Sequence, residues 1–140
     1  MTGIAIAVGA VIRDGQGRVL LVRHRPERKG FWRGKWICPG GGLKLGEEIV
    51  AGIEREVAEE TGLKIRLDRG LAPFERIVKS GGETRLHVVY IDYLADLVGG
   101  DLRPGGDVGE AVWVAPSDLP AMWAELHEDT RKLLKIAGIV

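Results

Sequence analysis

Cysteine is nearly absent from this chain, which has one, Cys38, among its 140 residues. A single cysteine excludes an intramolecular disulfide and agrees with a reducing compartment such as the cytosol. Its thiol is expected to pack as a small buried hydrophobic group. Stability therefore has to come from a hydrophobic core, for which one globular domain with 45% hydrophobic residues is adequate.

An excess of one charge and long apolar segments are also lacking. The 20 Lys and Arg residues balance the 20 Asp and Glu residues, so the composition gives no reason to expect duplex nucleic acid or an anionic membrane as a partner. The apolar run at residues 4–12 is too short to span a bilayer and lacks the features of a signal peptide. We expect one domain over residues 1–140 in the cytoplasm; the oligomeric state, a homodimer included, stays open.

The pattern of apolar and turn-forming residues predicts the secondary structure. Strands are predicted over residues 4–12, 18–23, 36–38, 64–78, 84–98 and 111–115, helices over 47–61 and 129–137, and a helical turn at 116–118. Gly62 is suited to end the first helix in a left-handed conformation. Strands around one central helix, with a second helix late in the chain, indicate an α+β fold with a mixed sheet.

Three glutamates, Glu56, Glu59 and Glu60, lie within one turn of the first predicted helix. At about 100° per residue, the buried face is predicted to consist of Ile49, Val50, Ile53 and Val57. Glu60 projects into the edge of this face, and Gly52 leaves room on the acidic side. Converging carboxylates are favourable only when a cation or a proton neutralises them. The alternative, a solvated acidic surface with Glu–Arg pairs, does not account for the position of Glu60.

The segment around this helix matches the pattern G-x5-E-x7-R-E-U-x-E-E-x-G-U, where U is aliphatic, at every fixed position. These positions are Gly41, Glu47, Arg55, Glu56, Val57, Glu59, Glu60, Gly62 and Leu63. The pattern is the Nudix box, and on this match the chain resembles the Nudix hydrolases. The resemblance implies an α/β/α sandwich with a mixed sheet, in which the box forms a loop–helix–loop, and it implies hydrolysis of a diphosphate bond.

The resemblance also implies a site for a divalent cation. The expected ligands are the carboxylates of Glu56, Glu59 and Glu60 and the main-chain carbonyl of Gly40. Oxygen ligands of this kind suit Mg²⁺, for which Mn²⁺ can substitute, rather than zinc. Arg55 resembles the box arginine that orients the neighbouring carboxylates, and Glu47 resembles the early box acid that supports the loop or takes a further metal indirectly.

The resemblance leaves the catalytic base open. Some relatives use the box glutamate that matches Glu56, and others use an acid on a late loop. In this chain that loop carries Asp107, the better candidate, and Glu110, the second. The alternative is that both acids merely begin the following strand.

Several residues are candidates for binding the substrate. They are Arg23, His24, Gly41 of the glycine loop, and an aromatic residue, Trp32 or Phe31, that could stack on a base. Surface charge and core packing are the alternative interpretations. The expected substrate is an ADP-ribose-like nucleotide or a nucleoside triphosphate, with release of a nucleoside monophosphate. A different class of function, a Nudix-fold module that senses a nucleotide without cleaving it, is disfavoured because every box acid is retained.

Overall fold

A computed structural model describes residues 3–28, 30 and 32–140. The strands are β1 (Ala5–Arg13), β2 (Val19–His24), β3 (Gly40–Gly42), β4 (Leu63–Gly70), β5 (Phe74–Ser80), β6 (Glu83–Gly100) and β7 (Val108–Val114). The helices are α1 (Ile49–Thr61), α2 (Leu119–Met122) and α3 (Glu128–Ile136), and 3₁₀ turns cover Pro116–Asp118 and Trp123–Glu125. The predicted α+β class is confirmed.

All seven strands form one mixed sheet, in the order β4-β6-β1-β2-β7. β1 runs parallel to β6 over nine residue pairs, from Ala5 opposite Val88 to Arg13 opposite Asp96. The first half of β1 pairs with β3, and the first half of β6 pairs with β5. This arrangement places the glycine strand β3 beside β1, which is the point at which the box loop meets the sheet.

Both faces of the sheet are buried, which makes the fold a three-layer α/β/α sandwich as predicted. Val11 and Leu21 face the layer of α3, where Leu133 and Leu134 cover them. Their neighbours Ile12, Leu20 and Val22 face the layer of α1, where Ile53 and Val57 complete the core. Because successive strand residues point to opposite faces, a strand covered on both sides is apolar along its length. This is the pattern of β1 and β2.

Helix α1 begins two residues later than predicted and ends where expected. Gly62 adopts a left-handed conformation with φ of 73°, and its N–H donates to the carbonyl of Ala58. Ile53 and Val57 are fully buried, but the prediction that Val50 is buried is wrong, because its side chain is 43% exposed. A helical wheel gives the direction of a side chain but not how far along the helix the sheet continues to cover it.

Two strand predictions are corrected. The predicted strand at residues 64–78 is two strands, β4 and β5, which pair with the second and first halves of β6. The break contains Pro73, which has no N–H to donate to a ladder. The predicted strand at 36–38 consists only of isolated bridges, from Trp36 to Leu126 and from Ile37 to Val22.

Cys38 is half-buried and packs against the core on the α3 side, and burial raises the pKa of its thiol. None of the helices in the described part of the chain has the length and apolar character needed to span a bilayer.

Candidate active site

Arg55 joins helix α1 to the loop that precedes it. Its Nε and Nη2 atoms donate to the two carboxylate oxygens of Glu47 at 2.6 and 2.9 Å. Nη2 also donates to the carbonyl of Gly42 at 3.1 Å. The hydrogen bonds from Arg55 lower the pKa of Glu47 to about 2, so Glu47 stays ionised. A planar guanidinium that donates to two carboxylate oxygens fixes direction as well as distance.

The same guanidinium holds two acids predicted to bind metal. Nη1 of Arg55 donates to Oε1 of Glu56 at 2.9 Å and to Oε2 of Glu59 at 3.4 Å. Glu56 is largely buried, whereas the side chain of Glu59 is 53% exposed. Arg55 is therefore placed to orient both carboxylates.

Glu60 is the buried acid of the site, with only 5% of its surface exposed. Its Oε1 accepts a hydrogen bond from the N–H of Gly40 at 2.8 Å. Burial raises its pKa to about 8, and the nearby charges of Glu56, Asp107 and Glu59 act in the same direction, against the Gly40 hydrogen bond. A carboxylate in this environment lacks a compensating positive charge.

His24 faces the second oxygen of Glu60. Trp32 donates from Nε1 to Nδ1 of His24 at 2.8 Å, which leaves Nε2 to carry the proton of the neutral ring. Burial lowers the pKa of His24 and favours this neutral form. Nε2 lies 3.9 Å from Oε2 of Glu60 and is buried without a hydrogen-bond partner among the described residues. Nε2 of His24 and Oε2 of Glu60 therefore lie on either side of a gap that no hydrogen bond between them closes.

The glycines of the loop allow close approach to the acids. A Cβ atom on Gly41 would lie 2.6 Å from the carboxylate of Glu56, so a larger residue there would displace that acid. The room expected beside Gly52 is occupied, because Leu43 and Glu47 of the loop pack against it. Gly52 therefore seats the loop on the helix rather than leaving space for a ligand.

The late loop is tied to the end of helix α1, which brings Asp107 to the site. Gly105 donates from its N–H to the carbonyl of Glu60 at 3.0 Å, and a Cβ atom on Gly105 would lie 2.5 Å from the carbonyl of Glu59. Asp107 forms an ion pair of 2.5 Å with Arg28 and lines the same cavity as Glu60.

Glu110 and Arg23 are paired with each other instead. They face each other across β2 and β7, and Nη2 of Arg23 lies 2.6 Å from Oε1 of Glu110. The guanidinium of Arg23 also stacks over Trp36 at 4.7 Å from the ring centroid. Neither Arg23 nor Glu110 is among the described residues that line the cavity.

The carboxylates are close together but are not arranged around a common point. Across residues 3–28, 30 and 32–140, no three His, Cys, Asp or Glu side chains are placed to hold a metal ion. The reason is that Arg55 contacts Glu56 and Glu59 while Glu60 turns to Gly40. The donor set nevertheless has the chemistry of a hard-cation site, since it consists of carboxylate oxygens, one of them buried without a positive charge.

A cavity of about 400 Å³ begins at these acids and crosses to the other face of the sheet. The predicted site residues that line it are His24, Trp32, Gly40, Gly41, Glu56, Glu60 and Asp107. Its far part is bounded by Phe74 and Tyr90, whose rings stack at 4.8 Å, and by Asp92, His127 and Asp129. Phe31, the alternative stacking residue, lies outside the described residues.

Sequence reasoning did not identify the far part of the cavity. Phe74 and Tyr90 lie on strands with an ordinary pattern, so no local signal marks them. Arg28 was visible only as one of several basic residues between β2 and β3. The local signal for Asp92 is that it is the one acid within the apolar and aromatic stretch of residues 88–95.

Known proteins resemble this chain in sequence and in fold. The chain is 29% identical over 131 residues to an ADP-ribose pyrophosphatase from Methanocaldococcus jannaschii, covering 94% of this chain and 71% of that protein. It is 26% identical over 134 residues to nucleoside triphosphatase NudI from Escherichia coli O81, covering 91% of this chain and 92% of NudI. A MutT NUDIX hydrolase from Burkholderia pseudomallei superimposes with a TM-score of 0.76 at 28% identity, covering 96% of this chain and 98% of that chain.

The profile of the NUDIX domain matches residues 3–135, nearly the whole chain. This match agrees with the complete box, with the three-layer sandwich and with the named activities of the relatives. The chain belongs to the Nudix family and is a hydrolase that acts on phosphoanhydride bonds.

Proposed function

We propose that this enzyme is an Mg²⁺-dependent pyrophosphohydrolase that cleaves a nucleoside diphosphate linked to another moiety and releases a nucleoside monophosphate. The observation that carries the proposal is the continuity of one cavity, from the acids Glu56 and Glu60 to the aromatic pair of Phe74 and Tyr90. A nucleotide needs both ends of this cavity. Its phosphates require a cation, which the acids would hold, and its base requires an apolar wall.

The cation would be held by Glu56, Glu59 and Glu60 and by the carbonyl of Gly40. It would screen the phosphate oxygens and activate the attacking water. Nudix hydrolases generally use divalent cations, and the carboxylate donors of this chain fit Mg²⁺ or Mn²⁺. Arg55 keeps Glu56 and Glu59 oriented through its anchor on Glu47.

Water activation also needs a proton acceptor, and Asp107 is the best placed candidate. It lines the cavity near Glu60, and Arg28 fixes its carboxylate. Glu56 is the alternative base, although Arg55 already contacts one of its oxygens. Glu110 is less favoured because Arg23 holds it away from the cavity.

His24 and Trp32 are proposed to contact the phosphate side of the substrate. The Nε2 proton of His24 points into the gap beside Glu60 and is available to a phosphate oxygen. Trp32 holds the ring of His24 in the required tautomer.

Product analysis by chromatography tests the proposal. The protein is incubated with Mg²⁺ and either ADP-ribose or one of the nucleoside triphosphates. Production of AMP and ribose 5-phosphate identifies a nucleoside diphosphate sugar hydrolase. Production of a nucleoside monophosphate and pyrophosphate identifies a triphosphate pyrophosphohydrolase. Both activities are expected to disappear in EDTA.

The matched variants are Glu60→Gln, at the site, and Glu54→Gln, an exposed position on the same helix. Only Glu60→Gln is expected to lower product formation, by roughly 10²-fold or more. Nucleotide binding without cleavage of either substrate class would overturn the proposal in favour of a sensing module.

A further inference from the structure

Asp92 is a buried acid that the catalytic proposal does not use. It lies on β6 opposite Gly9 of β1, and only 7% of its surface is exposed. A Cβ atom on Gly9 would lie 2.8 Å from its Oδ1 and 2.6 Å from the carbonyl oxygen of Pro39. Gly9 therefore provides the space that the carboxyl occupies. The side chain lines the cavity that begins at Glu56 and Glu60.

Among the described residues, neither a hydrogen-bond donor nor a cation pairs with the carboxyl of Asp92. Its Oδ2 is buried without a hydrogen-bond partner among the described residues. Burial alone raises its pKa to about 7, with no hydrogen bond or positive charge to oppose the effect. Leaving a polar group buried and unpaired costs free energy that an apolar residue would not. The position is thus better explained by a ligand than by stability.

Asp14, Glu60 and Asp129, three other buried or half-buried acids, each accept at least one hydrogen bond within the protein, which sets Asp92 apart. Asp129 accepts hydrogen bonds from Arg76 at 2.8 Å and from the hydroxyl of Tyr90 at 2.5 Å. Asp14 accepts from the side chain of Arg18 at 2.7 Å and from two main-chain N–H groups. Glu60 accepts from Gly40 and belongs to the acid cluster.

The surroundings of Asp92 narrow the class of ligand. Phe74, Tyr90, Cys38 and Leu133 line the same part of the molecule, so the wall is mostly apolar and partly aromatic. A flat, weakly polar group with N–H donors at its edge fits such a wall, whereas a phosphate or another anion does not fit beside a carboxyl that has no cation. The phosphates are already assigned to the other end of the cavity, where the proposed cation would lie between them and the acids of α1.

We propose that Asp92 recognises the base of the substrate and selects guanine by accepting hydrogen bonds at the edge that bears the amino group. This inference rests on the proposed function, because it places the nucleotide in the same cavity. An ionised carboxyl accepts from the adjacent N1–H and amino donors of guanine, whereas adenine and hypoxanthine each offer it only one such donor. Burial raises the pKa of Asp92 to about 7, so the carboxyl is mostly ionised at pH 8.

Hypoxanthine is the discriminating base for the ionised carboxyl, because it has the N1–H of guanine but lacks the adjacent amino group. Loss of a hydrogen bond to a buried polar group costs a ligand about tenfold or more in affinity. Replacing Asp92 by Asn removes the acceptor pair and supplies an NH₂ donor, which suits the carbonyl of hypoxanthine. Asp92→Asn should therefore reverse or abolish the preference, with little change in the volume of the side chain.

Calorimetric titration with AMP, GMP and IMP tests the proposal independently of turnover, since all three are monophosphates. At pH 8 the wild type should bind GMP about tenfold more tightly than IMP, and Asp92→Asn should bring this ratio close to one or below it. Asp96→Asn, the same substitution on the same strand outside the cavity lining, should leave the ratio unchanged. Circular dichroism confirms the fold, and Asp92→Ala replaces the Asn variant if that variant fails to fold.

The outcomes separate the two proposals. A wild type that cleaves nucleotides but binds IMP as tightly as GMP would overturn base selection by Asp92 and leave the proposed function standing. An unchanged preference in Asp92→Asn would do the same. Selective binding of GMP without any cleavage would overturn the proposed function while supporting the role of Asp92.

Discussion

At the level of single residues, Glu60 is an acid buried beside other acids. The helix places it on the edge of the core, and Gly40 supplies one hydrogen bond that does not balance the burial and the nearby negative charges. Its raised pKa means that the protein without metal favours the protonated form, whereas a bound cation favours the ionised form. Cation binding is therefore expected to release a proton from this residue.

Glu60→Gln keeps the shape of the side chain and removes its charge. We expect turnover to fall by roughly 10²-fold or more, because the proposed cation loses a buried ligand, and we expect the fold to survive. Glu59→Gln should act in the same direction. Steady-state kinetics with Mg²⁺ and a thermal denaturation curve measure both effects, with Glu54→Gln as control. Unchanged turnover in both site variants would refute the metal-site assignment.

The two acids of the late loop differ in what holds them. Asp107 lines the cavity and pairs with Arg28, whereas Glu110 pairs with Arg23 away from it. Asp107→Asn is therefore expected to lower kcat by at least about 10²-fold, and Glu110→Gln by much less. Comparison of kcat for the two variants shows which of the two acids acts as the base. A larger loss in Glu110→Gln would move the base to that residue.

At the level of elements, the box works as a loop seated on a helix. Arg55 contacts Glu47, Gly42, Glu56 and Glu59, so one side chain joins the loop to two acids of the helical turn that follows it. Gly52 lets Leu43 pack against the helix from the same side. The position of the acids thus depends on the loop as well as on the helix.

Arg55→Lys tests this coupling with the charge retained. A lysine cannot donate to both oxygens of Glu47 and to Glu56 at once, so we expect kcat/KM to fall by about 10–100-fold. Hydrogen exchange should increase at the main-chain amides of the loop, for example Lys44, which donates to Glu47. Exposed Lys64→Ala serves as a control. Normal exchange together with normal activity would show that the loop does not need Arg55.

At the level of the whole molecule, stability is linked to pH through buried acids. The folded pKa of Asp92, about 7, lies above its ordinary value of 3.8. Folding therefore favours the protonated form, and the associated stability is complete below about pH 4 and is lost as the pH rises toward 7. Asn at this position does not titrate.

Asp92→Asn should accordingly be more stable than the wild type at pH 8, by on the order of 4 kcal/mol, and the difference should shrink as the pH falls to 4. Urea unfolding of both proteins between pH 4 and 8 measures the free energy of unfolding. Asp96→Asn, at a partly exposed ion pair, is the comparison. A difference that does not vary with pH would show that Asp92 is not buried as an unpaired acid.

The box helix could be read from the sequence because its signals are local. A period of about 3.6 residues placed Ile53, Val57 and Glu60 on one side, and Gly62 marked the end of the helix, since both depend only on neighbours along the chain. The limits of that approach are visible at Val50, whose exposure depends on where the sheet stops, and at the break around Pro73, which depends on pairing with β6.

The chain alone thus determined the family, the acid cluster and the order of the elements, because these follow from spacing and periodicity. Only the tertiary structure decided that Gly9 lies opposite Asp92, that Arg28 pairs with Asp107 and that Arg23 is held by Glu110. Each of these contacts joins residues about 80 positions apart in the sequence. The first two contacts bring Asp92 and Asp107 to the cavity, and they follow from the parallel pairing of β1 with β6 and the antiparallel pairing of β2 with β7.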